Sequence, residues 1–139
     1  MKPLTKKFVD EVCYAILGAA IEVHKTMGVG LYEEVYQYCM EVELRERGLR
    51  FERQRNLTIL YKGHQIDTSL RYDLLVEEAV VVDLKSLLEV HPIFTNQMMT
   101  YMRLLQMPKG IIINFMCKHI FNEGQKTFVN ELYRALPPK

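Results

Sequence analysis

Residues 70–85 read Leu-Arg-Tyr-Asp-Leu-Leu-Val-Glu-Glu-Ala-Val-Val-Val-Asp-Leu-Lys. Aliphatic and β-branched runs flank Glu77-Glu78, the pattern of two strands joined by a tight turn. Three charges, Asp73, Asp83 and Lys85, interrupt those runs where packing alone would place hydrophobes. Taking a charge out of water is costly unless it is paired or holds a metal, so these three need a reason.

Parity decides what they can do together. Side chains alternate along a strand, so Asp83 and Lys85 share a face. A two-residue turn at Glu77-Glu78 would set Asp73 opposite Val82 and send the two aspartates to opposite sides of the sheet. A three-residue turn, or one bulge, sets Asp73 opposite Asp83. In that register one face carries Asp73, Leu75, Val81, Asp83 and Lys85, and the other is wholly apolar: Tyr72, Leu74, Val76, Val80, Val82 and Leu84. The odd-length turn is the expectation. Adjacent carboxylates repel and raise each other's pKa unless a cation lies between them. A hard divalent ion is the natural occupant, and Mg²⁺ needs only one or two carboxylates. On spacing alone, an ordinary Asp–Lys ion pair with the second aspartate in solvent fits equally well.

The rest of the chain bounds the answer. Its 139 residues suit one domain, residues 1–139, with a substantial core. The formal net charge of +1 supplies no global attraction to nucleic acid, so any such binding must come from a local patch. Cys13, Cys39 and Cys117 are odd in number and form no C-x-x-C pair, which suits reduced thiols and a cytoplasmic location. No apolar run reaches the roughly 18 residues of a membrane span. The start, Met1 to Ala20, faintly resembles a secretion leader, but Asp10 and Glu11 break its apolar part, and an amphipathic helix is the better reading.

Helical spacing covers residues 5–25, capped by Thr5, and Met27-Gly28-Val29-Gly30 ends it. A second helix is expected over 31–47, stopped by Gly48; Glu33, Tyr36 and Gln37 share one face of it. Arg45, Arg47, Arg50, Arg53 and Arg55 form the densest basic stretch, open to two readings: phosphate contacts, or solubility at helix ends and edge strands. Strands are expected at 56–61 and 64–67 around Lys62-Gly63. A third helix runs from His91-Pro92 to about Leu105, with Gln97 and Tyr101 one turn apart. The apolar run 110–116 reads as a buried strand, and a right-handed crossover makes it parallel to the strand carrying Asp83. A short strand near 126–129 and a fraying helical turn close the chain. The order predicts an α/β three-layer sandwich, a mixed central sheet flanked by helices.

This arrangement resembles the PD-(D/E)XK nuclease superfamily: Asp73 on one strand, Asp83-Leu84-Lys85 on the next, then Gln97-x-x-x-Tyr101 on a helix, all preceded by a helix with Glu33. More narrowly, Gly30-Leu31-Tyr32-Glu33-Glu34-Val35-Tyr36 looks like the signature of the GxxExxY proteins. The resemblance implies a restriction-endonuclease-like αβββαβ core. It implies that Asp73, Asp83 and Glu33 bind a Mg²⁺ or Mn²⁺ ion, and that Lys85 helps to activate or orient the attacking water. Gln97 and Tyr101 would line the site and contact nucleic acid, DNA rather than RNA, with Tyr36 a further substrate contact. The superfamily more often carries Glu where this chain has Asp83, whose arm is one methylene shorter. Two functions from different classes follow: a metal-dependent nuclease, or a degenerate nuclease-fold module that binds nucleic acid or protein without cutting. So small a nuclease would gain footprint as a homodimer.

Overall fold

The computed structural model describes residues 3–139, the side chain of Gln54 excepted. Met1 and Lys2, the start of the segment weighed as a leader, lie outside them. Five helices and five strands follow in the order α1 (Lys6–Met27), α2 (Glu33–Glu46), β1 (Phe51–Tyr61), β2 (His64–Val76), β3 (Val80–Lys85), α3 (Ile93–Leu105), β4 (Lys109–Asn114), α4 (Ile120–Glu123), β5 (Gln125–Val129) and α5 (Glu131–Arg134). The strands form one mixed sheet in the order β1-β2-β3-β4-β5. β3 and β4 run parallel, as the crossover through α3 requires, and the other neighbours are antiparallel.

Two cores make three layers. On one side, α1 and α2 bury Val9, Ile16, Tyr36, Met40 and Leu44 against Leu74, Val76, Val80, Val82 and Leu84. On the other, Met98, Tyr101 and Met102 of α3 cover Leu75, Val81 and Ile112. The fold class is the one the sequence implied.

The hairpin has the odd turn. Val76 pairs with Val80, Leu75 with Val81 and Leu74 with Val82, leaving Glu77, Glu78 and Ala79 as the loop. One further step sets Asp73 opposite Asp83. The ladder stops short of that step, because the Leu84 N–H donates to Asp73 Oδ2 at 2.7 Å. β2 leaves β3 there and continues with β1 alone. This corrects one placement: Tyr72 belongs not to the α1/α2 core but to the α3 core, with Leu57 and Leu75. β2 runs unbroken from His64 into the hairpin, as a return strand continuing toward it would, with a register irregularity between Asn56 and Thr58 of β1. β1 starts five residues earlier than expected, and α4 was not anticipated. No helix among the described residues is long and apolar enough to cross a membrane.

The turn stores strain. Glu77 and Glu78 sit at φ +52° and +49°, a region that costs a residue with a Cβ roughly 1–2 kcal/mol. Glu77 is compensated: its carboxylate accepts the Arg50 N–H at 2.6 Å, and its own N–H donates to Arg50 O at 2.9 Å. Glu78 is exposed and makes no comparable bond. Glu78→Gly should therefore stabilise the protein by about 0.5–1 kcal/mol, the relief exceeding the entropy glycine adds to the unfolded chain. Urea unfolding checks it; a lower midpoint in the variant would refute the strain argument.

Candidate active site

Asp73, Asp83 and Lys85 meet where β2 and β3 diverge. Asp83 is 4% exposed, the most buried aspartate of the chain's described part. Burial pushes its carboxyl up to about 7, a hydrogen bond and repulsion from Asp73 push the same way, and Lys85 pulls back. The two carboxyl groups are within hydrogen-bonding reach of each other, so they converge on one side of the sheet. Lys85 Nζ lies 3.3 Å from Asp83 Oδ2 and 4.1 Å from the centroid of the Phe94 ring, so its ammonium is held between a carboxylate and an aromatic face.

The backbone around this trio is pinned. The Phe115 N–H donates to Lys85 O at 2.9 Å. Asn114 clasps the connector after Lys85, accepting the Leu87 N–H at 3.0 Å and donating to Leu87 O at 2.9 Å. Ser86 Oγ donates to Leu31 O at 2.7 Å, tying that connector to the entrance of α2.

Glu33 opens α2 at the rim, with its side chain in reach of water. Partial burial raises its pKa; Lys85 lowers it and Asp73 raises it, so it feels both. It is not gathered with the aspartates. Among the described residues no three His, Cys, Asp or Glu side chains stand close enough to hold a metal ion. The three-carboxylate set implied by resemblance is thus not assembled; the convergent set is two carboxylates and one ammonium. Those two suffice chemically for Mg²⁺, which binds through one or two carboxylates and keeps several waters.

Tyr101 is buried at 4% exposure beside the pair, and its hydroxyl pKa is raised by burial and by the charges of Asp83 and Asp73. Gln97 is half-buried one turn earlier on α3. Tyr36 requires a correction. It is fully buried, its hydroxyl donates to Gly28 O at 2.6 Å, and its ring stacks on Phe115 with centroids 4.2 Å apart. A substrate cannot reach it. The same hydroxyl accepts the Leu31 N–H at 3.4 Å, so Tyr36 shapes the loop that delivers Glu33. Gly30 in that loop sits at φ +97°, which explains a glycine there.

Two residues of α2 were not singled out as site elements. Gln37 donates to Asp73 O at 3.2 Å and to Glu41 Oε2 at 3.3 Å, fixing the backbone of the first aspartate. Glu41 is 2% exposed and pairs with Arg53 at 3.2 Å and Arg45 at 3.7 Å. Polar residues at 33, 37 and 41 repeat every fourth position, a stripe visible in the sequence. The basic stretch is engaged elsewhere: Arg45 and Arg53 on Glu41, Arg47 on Glu43, Arg50 on Glu77 and Arg55 on Glu52. These are mostly exposed pairs of small net worth, and they leave no bare arginine patch within this stretch.

The chain matches the PD-(D/E)XK nuclease superfamily over residues 10–127, most of its length. It belongs to that superfamily. No curated protein matches it. No solved structure matches it either.

Proposed function

We propose that this protein is a metal-dependent nuclease that hydrolyses phosphodiester bonds in DNA, with Mg²⁺ or Mn²⁺ held by Asp73 and Asp83. The observation that carries the reading is the convergence of these two carboxylates beside a desolvated ammonium. A divalent ion, when bound, supplies hydroxide near neutral pH and offsets charge building on the phosphate. Lys85 would orient the attacking water and lend its ammonium to charge that develops beside it. Glu33 acts from the rim on the hydration of the site. Tyr101 and Gln97 position the phosphate's neighbours from α3. Gly30, Glu33 and Tyr36, with the roles just described for the glycine and the tyrosine, support the narrower GxxExxY assignment.

Binding without cleavage is the second reading. The net charge of +1 and the paired arginines favour it, since they leave little surface to grip a duplex. Calorimetric titration with Mg²⁺ and Mn²⁺ separates the readings at the first step. Native protein should bind one ion per chain, and Asp73→Ala should bind at least tenfold more weakly, given the cost of losing one of two charged ligands. Equal binding by the two proteins would remove the metal site and the nuclease reading with it.

A further inference from the structure

A cavity of about 350 Å³ opens between the segment that enters α3 and the β4–β5 part of the sheet, and none of the candidate site residues lines it. Its floor is Ile112 and Asn114, which pair across the sheet with Asp83 and Lys85. Those floor residues therefore stand on the strand next to the one that carries Asp83 and Lys85, the two backbones running about 4.8 Å apart. One wall is His91, just before α3, and Thr95 in its first turn, the helix that also supplies Phe94, Gln97 and Tyr101. The opposite wall brings Glu123 and Lys126.

The spare hydrogen-bonding capacity is mixed in kind. His91 Nδ1 accepts the Ile93 N–H at 3.0 Å, which leaves Nε2 as a donor in the neutral ring. Glu123 Oε1 accepts the His119 N–H at 3.3 Å, leaving Oε2 as an acceptor. Lys126 adds a cation and Thr95 a hydroxyl. A bare phosphate would meet the Glu123 carboxylate and be repelled. A heterocycle with donors and acceptors on its edge and an apolar face for Ile112 matches this lining. The volume, at the low end of ligand pockets, suits one nucleoside.

We propose that this cavity receives one unstacked nucleoside adjoining the scissile phosphate, so that the substrate is single-stranded or frayed nucleic acid. The proposal rests on the nuclease reading for what lies next door. A base held in a duplex presents only an edge and cannot enter, so unpairing is a condition of occupancy.

The test is done in chelator, where nothing is cut. Labelled native protein is titrated with thymidine 5′-monophosphate and, separately, with inorganic phosphate while backbone amide shifts are followed. Shifts at residues 91, 93–95, 112–114 and 123–126 are expected with the nucleotide only. Exposed Lys126→Ala should weaken binding about tenfold. Thr95→Phe, which fills the cavity, should abolish it while the remaining spectrum is kept. A twelve-nucleotide thymidine strand should bind native protein roughly tenfold more tightly than the same strand paired with its complement. Shifts absent here, identical shifts from phosphate alone, unchanged affinity in Lys126→Ala, or equal affinity for paired and unpaired strands would each overturn the proposal. Nucleotide binding that survives while the metal titration fails would retain the cavity and discard the nuclease; the converse pattern would do the opposite.

Discussion

Lys85→Met is expected to lower Mg²⁺-dependent cleavage by about 10²–10³-fold, the usual loss when one preorganised donor to developing charge is removed. Methionine is chosen because its unbranched stem keeps the contact with Phe94 while deleting the ammonium, so a packing defect and a charge defect are separated. The effect is large because the lysine side chain is only 13% exposed, where a charge acts far more strongly than in bulk water. Metal affinity should hold or tighten in the same variant, since a cation next to the ion's carboxylates has been taken away. That pair of results, chemistry lost and metal retained, has no counterpart in a protein that merely binds. Initial rates on single-stranded and duplex DNA, with calorimetry on the same samples, check it. Cleavage at the native rate would assign the activity to another site or to a contaminant.

Much of this site was legible because period-two alternation leaves few choices. Once Asp73, Asp83 and Lys85 were required to share a face, only an odd loop served, and Leu74 opposite Val82 bears that out. The parallel β3–β4 pair followed from strand, helix, strand and the handedness of crossovers. Depth was not legible. Spacing showed that Glu33 and Tyr36 share a face of α2, but not that the first stands at the rim while the second lies beneath the Gly28–Leu31 loop. Nor does a propensity argument reveal that a side chain will replace a backbone partner, as Asp73 does for the Leu84 N–H. The ladder ends at that bond, β2 continues along β1, and Tyr72 packs in the other core. The Ser86–Leu31 and Asn114–Leu87 ties join residues 55 and 27 positions apart, beyond the reach of any local pattern.

In the metal-free protein, stability should fall as pH rises from about 5 to 8, and Asp83→Asn should remove that fall. The folded Asp83 carboxyl is pushed up to about 7, whereas an unfolded aspartate titrates near 3.9. The folded state thus holds its proton more tightly than the unfolded state. The stability it contributes is complete below pH about 4 and is lost as pH rises through about 7. Each unit of difference is worth roughly 1.4 kcal/mol before allowance for coupling to Asp73, so an effect on the order of a few kcal/mol is expected. Asparagine keeps the shape of the protonated acid without a charge to bury, so at pH 8 in chelator the variant should melt above the native protein. Adding Mg²⁺ at pH 8 should invert the order. Native protein gains stability by mass action once the ion occupies the pair, and the variant gains little. The ion must displace the proton on Asp83, so its apparent affinity should rise about tenfold per pH unit below 7 and level off above it. Thermal melts of both proteins at pH 5 and pH 8, with chelator and with Mg²⁺, contain the whole comparison. If the difference between native and variant stayed constant with pH, or if Mg²⁺ stabilised both alike, Asp83 would be an ordinary buried acid rather than half of a cation site.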